Sequence, residues 1–198
     1  MREEDRTPGR PRGFDMDAVL DIITGLFWER GYEAVSLADI MAATGLRKGS
    51  LYAAYGDKRA MYLKALARYE AAHVARTVAL LRGPGPARVR LEAFLAAPIE
   101  AAYEGDDRRG CFLCNASADL AAADEEAASL VRQGFARLQR ALAATLAELA
   151  PGDDPTPRAA QLLVSYAGLQ VMARIGMPRA MLAAARDLAL VALPAGGR

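Results

Sequence analysis

The sequence predicts an all-α protein of about nine helices: an N-terminal three-helix head that contains a helix-turn-helix, and a larger C-terminal helical domain. Three observations predict this fold class. Alanine, leucine and arginine, which favour helices, are abundant, whereas β-branched and aromatic residues are scarce. Apolar residues recur at three- and four-residue spacing in nearly every segment. Glycine and proline separate these segments from one another.

The head contains the clearest local signals. Asp15 or Asp17 can cap a first helix, and Gly31 can end it. Ser36 can cap a short second helix, Gly45 breaks that helix, and a third opens after very little connecting chain. Two short helices joined by a glycine turn are typical of a helix-turn-helix.

The apolar pattern of the remaining chain predicts longer helices. We expect one long helix at residues 57–81, which ends before the run Gly83-Pro84-Gly85-Pro86. Beyond it we expect five further helices, at about 86–103, 111–121, 124–149, 156–175 and 178–192. The predicted organisation is a basic flexible arm at 1–13, the helix-turn-helix domain at 14–56, a larger domain at 57–193 and a disordered tail at 194–198.

Composition narrows the class of protein. The chain has 198 residues, of which 53% are hydrophobic and 25% charged. A chain of this length and composition can bury one or two hydrophobic cores and should be globular. Its start lacks the apolar stretch of a signal peptide, and no run reaches the ~18 apolar residues of a membrane span. We therefore expect a cytoplasmic protein with no membrane partner. The net charge is only +1, so nucleic-acid binding would need a local cluster of cations.

Such a cluster lies at the predicted third helix. Residues 47–59 hold four cations against the single Asp57, a net charge of +3. A DNA-reading helix needs cations and small residues near its start, and aromatic hydroxyls can reach phosphate or bases. The residues that meet this description are Arg47, Lys48, Gly49, Ser50, Tyr52, Tyr55, Lys58 and Arg59. Charges of this kind also occur on solvated helix ends, but the turn pattern favours a DNA site.

A second basic segment precedes the head. Prolines stiffen the run from Arg6 to Arg12, which could place Arg10 and Arg12 in an adjacent minor groove. Free in solution, the same arm would be disordered and would order on DNA.

The head resembles the DNA-binding domain of the TetR/AcrR family over about residues 10–70. The resemblance rests on several short runs: Phe14-Asp15, Leu26-Phe27-Trp28, the segment 31–37, Ile40, Gly45 and above all the segment 49–58, GSLYAAYGDK. It implies a transcriptional regulator, usually a repressor, that binds palindromic double-stranded operator DNA as a homodimer. It also implies contacts to bases or phosphates by Thr44, Arg47, Lys48, Ser50, Tyr52, Tyr55 and Lys58. Trp28, Tyr32, Leu37, Ile40 and Leu51 are better interpreted as head core.

Cys111 and Cys114 suggest one way to regulate such a protein. They open a predicted helix after Arg108 and Arg109, and both the helix dipole and the arginines would lower the pKa of Cys111. Cys111 is therefore a candidate sensor of an oxidant or electrophile, and Cys114 could resolve a sulfenate. Some TetR-type repressors that respond to such compounds resemble this segment. Both cysteines could instead be ordinary buried residues.

A small-molecule effector is the alternative. It would need an apolar and aromatic cavity with a few polar groups. Candidates from the expected helices are Phe94, Tyr103, Phe112, Phe135, Tyr166, Gln170 and Met172, each of which could also be plain core. Either effector would act by shifting the helix at 57–81, which links the two domains.

The last two helices carry more apolar residues than one chain can bury, which predicts pairing with a twofold mate.

Other functions are disfavoured. No nucleophile elbow, phosphate loop or set of metal ligands occurs, so we expect no enzyme, cofactor or metal site. His73 is interpreted as a surface residue. The remaining alternative is a helical protein-interaction module that keeps a helix-turn-helix without binding DNA.

Overall fold

The computed structural model describes residues 14–191 and 193, and every regular element in that part of the chain is helical. The predicted arm with Arg10 and Arg12, and the predicted tail at 194–198, lie outside it. The elements are α1 Met16–Arg30, α2 Leu37–Thr44, α3 Lys48–Tyr55, α4 Lys58–Tyr69, a π-helical segment Glu70–Val74, α5 Ala75–Arg82, α6 Ala87–Tyr103, α7 Phe112–Ser117, a 3₁₀ turn Leu120–Ala122, α8 Glu125–Ala147, α9 Thr156–Arg174 and α10 Arg179–Val191. The all-α prediction is confirmed.

Side-chain caps set the ends of the head helices. Asp15, and not Asp17, caps α1, since its carboxylate accepts the N–H groups of Asp17 and Ala18 at 2.9 and 3.3 Å. Ser36 and Asp39 form a reciprocal capping box at the start of α2. Gly45 ends α2 in the left-handed region, at φ 69°, which a residue with a side chain rarely adopts. These caps determine where α1 begins and where α2 begins and ends.

The long helix predicted at 57–81 is present but contains one wider turn. Residues Lys58–Tyr69, Glu70–Val74 and Ala75–Arg82 follow one another without a break, and the middle five are π-helical. We call the helices α6 to α10 the body. α4 packs on α1 of the head, and α5 packs on α6 and α8 of the body. One continuous rod therefore joins the two parts, as the sequence predicts.

The body is built from α6, α8 and α9, with α10 lying along α6 and α9. Gly134 of α8 allows α7 to approach closely, because a Cβ at this position would lie 2.6 Å from the Cδ1 atom of Leu113. α7 is thus held against α8 at its middle.

The segment 111–121 differs from the single helix expected. α7 ends at Ser117, and a 3₁₀ turn follows at Leu120–Ala122. The helix stops because Asp119 turns its carboxylate towards the head, where it accepts the backbone N–H of Tyr32 and, at 3.3 Å, the hydroxyl of Tyr62. A contact between distant parts of the chain has overridden the local helix propensity. No helix within 14–191 is long and apolar enough to cross a membrane.

Candidate nucleic-acid interface and regulatory site

The outer face of α3 is exposed and positively charged. Arg47 occupies the N-cap position but makes no side-chain capping bond, and Lys48, Gly49 and Ser50 are all exposed. Tyr52 is 43% exposed, with the Lys48 ammonium 5.7 Å from its ring centroid. Within the described part of the chain, neither Arg47 nor Lys48 forms an ion pair. Their charge is available to phosphate.

The two cations of α4 have different surroundings. Lys58 lies at the first position of α4, with its ammonium 4.4 Å from the ring centroid of Tyr32. Arg59 instead pairs with Asp124 at 2.6 Å and with Glu126 at 2.9 Å, both at the start of α8. The charge cluster inferred from residues 47–59 is therefore reduced, because Arg59 ties the head to the body.

Two predicted DNA contacts have hydroxyls already engaged inside the protein. Tyr55 is 2% exposed and donates its hydroxyl to the Met16 carbonyl at 2.7 Å. The prediction that Tyr55 reaches DNA was wrong, because the side chain belongs to the head core. The Thr44 hydroxyl donates to the Ile40 carbonyl at 2.7 Å, so a phosphate would have to displace that acceptor.

The C-terminal end of α1 is held by the body. The indole N–H of Trp28 donates to the Gly110 carbonyl at 3.0 Å. In the other direction, the Asn115 amide donates to the Trp28 carbonyl at 3.2 Å, and Arg174 donates to the Glu29 carbonyl at 3.0 Å. The last carbonyls of a helix have no partner within the helix. Side chains from α7 and α9 supply that partner here.

Cys111 lies beside this junction. It is the N-cap residue of α7 and is buried, one position before the helical turn that the sequence suggested. Hydrogen bonds from the Cys114 thiol, from backbone N–H groups of α7 and from the Tyr69 hydroxyl lower the pKa of Cys111 to about 7. The same thiol pair raises the pKa of Cys114. Neither cysteine is in a disulfide.

The neighbouring arginines are not the cause of that low pKa. Arg109 lies 3.9 Å over the ring of Trp28 and pairs with Asp107 through two nitrogens, at 2.9 and 2.6 Å. This ion pair raises the pKa of Arg109 and lowers the pKa of Asp107. Hydrogen bonds, rather than arginine charge, favour the thiolate at Cys111.

A cavity of about 530 Å³ opens where α1 meets the body. We call it the junction cavity. It is lined by Trp28, Tyr69, His73, Arg76, Thr77, Leu80, Ala97, Pro98, Ala101, Ala102, Asp107, Arg108, Arg109, Gly110, Tyr166, Gln170, Ala173 and Arg174. It therefore combines aromatic walls with several guanidinium groups.

The structure places only two of the predicted pocket residues on this cavity. Tyr166 and Gln170 line it, joined by a 2.7 Å hydrogen bond from the amide to the hydroxyl. Phe94 stacks on Tyr166, with 4.2 Å between the two ring centroids. The others lie elsewhere: Cys111, Cys114 and Phe112 are buried in the core, Tyr103 donates its hydroxyl to the Met177 carbonyl, Phe135 is half-buried on α8, and Met172 is exposed.

His73 is a cavity residue that sequence reasoning missed. It packs against Trp28 and Tyr69, each at 4.7 Å between ring centroids. Burial, with the nearby charges of Arg76 and Arg109, lowers its pKa to about 4, so the ring is neutral near pH 7. The π-helical segment at 70–74 carries this residue, and helical periodicity alone does not reveal such a turn.

α9 and α10 present an apolar surface to solvent. Val164, Leu188 and Val191 are each more than 70% exposed, and Ile175 is 66% exposed. Isolated exposed apolar residues are common, whereas contiguous apolar patches are typical of interaction surfaces.

The sequence of this chain is similar to known proteins both in the helix-turn-helix head and over most of its length. Residues 19–65 match the family described as bacterial regulatory proteins, tetR family. The chain is 32% identical over 178 residues to the HTH-type transcriptional repressor ComR of Escherichia coli (strain K12), which covers 86% of this chain and 85% of ComR.

Two solved structures extend the comparison. A cysteine mutant of CifR, a TetR family transcriptional regulator complexed with 26bp double-strand operator DNA, superposes with a TM-score of 0.81 at 30% identity, covering 94% of this chain and 100% of CifR. The reduced form of E. coli NemR gives a TM-score of 0.80 at 23% identity, covering 91% and 98% of the two chains, which is a likeness of fold.

Proposed function

Because the chain belongs to the tetR family of bacterial regulatory proteins, a class of DNA-binding transcriptional regulators, we propose that it is a dimeric repressor released from its operator by an effector acting at the head-body junction. One observation carries this function. Arg47 and Lys48 are exposed and form no ion pair with residues 14–191 or 193, while α1 of the same head is hydrogen-bonded to the segment that holds Cys111.

DNA contact is assigned to the exposed face of the head. Lys48, Ser50 and Tyr52 read base edges or phosphate from α3, and Arg47 and Lys58 bind phosphate at the two helix starts. Arg10 and Arg12 add minor-groove contacts from the arm, and Thr44 contacts phosphate once its hydroxyl leaves Ile40. The naming of ComR as a repressor and the operator complex of CifR support this assignment.

Dimerisation uses the apolar surface of α9 and α10. Pairing these helices with a twofold mate would bury Val164, Ile175, Leu188 and Val191 in a four-helix bundle. Such a dimer would set the two α3 helices ~34–36 Å apart, one turn of DNA, so the operator is a pseudo-palindrome.

Release follows from the position of Cys111. Its lowered pKa increases the share of thiolate near neutral pH, and the thiolate is the reactive form. When the thiolate attacks an alkylating agent such as iodoacetamide, an S–C bond forms and iodide leaves, so the added group is placed at the buried N-cap of α7. α7 and Gly110 must then move, which removes the partners of Trp28 and changes the orientation of α1. A reversible ligand in the junction cavity would act on the same contacts.

The function is tested by selecting bound sequences from a random duplex pool, with and without a thiol-reactive electrophile. We expect a palindrome with half-sites about one turn apart, lost on treatment of the natural protein and retained by the Cys111→Ser variant. A palindrome that survives treatment would contradict thiol-dependent release. The absence of any enrichment would contradict DNA binding and favour a protein-interaction module.

A further inference from the structure

The junction cavity has an excess of positive charge. Arg76, Arg108, Arg109 and Arg174 line it together with one carboxylate, that of Asp107. Both Asp107 oxygens already accept from Arg109, so these two charges offset each other. Among the residues that the structure describes, Arg76, Arg108 and Arg174 form no ion pair.

The hydrogen bonds of these arginines do not neutralise them. Arg174 donates to the carbonyls of Trp28, Glu29 and Arg109, and Arg76 donates to the Ala72 carbonyl. A carbonyl carries a dipole and no net charge, so three guanidinium charges remain for an anion. Arginine favours planar carboxylates, because its fork of N–H groups matches both oxygens.

His73 provides a second sign of the same positive field. Its Nδ1 atom lies 3.1 Å from the Nη2 atom of Arg76, and its ring is half-buried on the cavity wall. The charges of Arg76 and Arg109 both lower the pKa of the imidazole, although Asp107 and Asp21 oppose them. The neutral ring accepts a hydrogen bond and adds no charge of its own.

The shape of the cavity favours a ring. The rings of Tyr69 and His73 stack face to face, and Tyr166 and Pro98 also line the cavity. Flat aromatic groups pack well against such rings. The volume of about 530 Å³ falls within the range of small-ligand sites and holds a single substituted ring.

We propose that the junction cavity binds a small aromatic carboxylate, with the ring packed against Tyr69 and Tyr166 and the carboxylate directed to Arg76, Arg108 and Arg174. This assignment deepens the proposed function by giving its reversible effector a site and a chemical class. Binding itself does not depend on that function, whereas the effect on the operator does.

Arg174 connects the ligand to the head. It holds the last carbonyls of α1 from α9, and an anion in the cavity competes for the same N–H groups. When the ligand binds, α1 loses these partners and the head becomes freer to reorient. The ligand therefore weakens operator binding without touching α3.

Calorimetric titration of the full chain with benzoate, benzamide and acetate tests the binding step. Benzamide keeps the ring without the charge, and acetate keeps the charge without the ring. We expect benzoate to bind about tenfold more tightly than either, and Arg76→Gln to weaken benzoate about tenfold, the effect of one charge-assisted hydrogen-bonded pair. Arg140→Gln, at an exposed site on α8 away from the cavity, should leave benzoate binding unchanged.

The outcomes separate the two levels of the proposal. Equal binding of benzoate and benzamide, equal loss in the Arg76 and Arg140 variants, or no binding by any probe would overturn the aromatic carboxylate site. If benzoate binds as expected and operator affinity, measured on the selected duplex, does not fall, the site is supported and its role in operator release is overturned. If operator affinity falls in the natural protein but not in Arg76→Gln, both are supported.

Discussion

The outer face of α3 and the junction cavity both combine basic side chains with aromatic rings, but they use the charges differently. On α3, Arg47 and Lys48 face solvent with no ion pair in the described part of the chain. At the junction, Arg174 and Arg109 are held by carbonyls and by Asp107. Basic residues thus leave their charge exposed on α3, whereas at the junction Arg174 uses its hydrogen bonds to link α9 to the end of α1.

The largest expected effect comes from removing the free charges. Arg47→Ala together with Lys48→Ala should weaken operator binding about 100-fold and lower the slope of log K against log salt by about two, because two phosphate contacts are lost. Fluorescence anisotropy over a salt series measures both quantities. An Arg132→Ala variant, altered at an exposed site on α8, is the matched control, and equal losses in the two proteins would remove α3 from the interface.

A smaller effect concerns the nucleophile at the junction. Because the pKa of Cys111 is about 7 and not the ordinary 9.0, its alkylation rate should rise about tenfold between pH 6 and 8 and then level off. Mass spectrometry of iodoacetamide-treated protein gives the rate at this residue. A rate that continues to climb through pH 9 would show that the hydrogen bonds to Cys111 do not stabilise the thiolate.

Removing the hydrogen bond between Trp28 and Gly110 should change the effect of alkylation on operator binding more than it changes the operator affinity of the unmodified protein. Trp28→Phe loses the 3.0 Å bond to Gly110, worth about 1 kcal/mol, while it retains an aromatic ring under Arg109. We expect unmodified operator binding to stay within about threefold and the loss of affinity on alkylation to shrink about fivefold, the equivalent of that energy. An unchanged response would show that the bond between Trp28 and Gly110 does not carry the effect of alkylation to α1.

The smallest effect is on stability in mild acid. The pKa of His73 is lowered from 6.5 to about 4, so the unfolded chain binds a proton that the folded chain resists, and stability falls as the pH drops from 6.5 towards 4. The ring is only partly buried, and screening by solvent reduces the expected loss to about 1 kcal/mol. Urea unfolding at pH 7 and pH 5 should show this loss, and His73→Gln should remove it. The same acid sensitivity in both proteins would assign the loss to other groups.

Local sequence signals predicted the head better than the junction. Ser36, Gly45 and the cluster at Arg47 act on their own neighbours, so caps and turns could be inferred from short stretches. The family resemblance assigned Tyr55 to DNA, but its hydroxyl donates to the Met16 carbonyl, a contact across 39 residues that a short motif does not reveal.

The junction depends on contacts between residues far apart in the chain. The bond between Trp28 and Gly110 spans 82 residues, and Arg174 reaches Trp28 across 146. No periodicity in the sequence encodes such pairs. Cys111 was identified from its position next to a helix start, but the cause of its low pKa lies in Tyr69 and Cys114, which only the folded chain brings to it.

The π-helical segment between α4 and α5 changes which way the side chains of α5 face relative to those of α4. One residue turns an α-helix by about 100°, and a five-residue turn accommodates an additional residue without breaking the rod. Deleting a single residue there would leave the rod intact and rotate α4 against α5, so that the side chains now facing the cavity would face α8 or solvent. The angular relation between α4, which packs on α1, and α5, which packs on α6 and α8, is thus set by this π-helical turn.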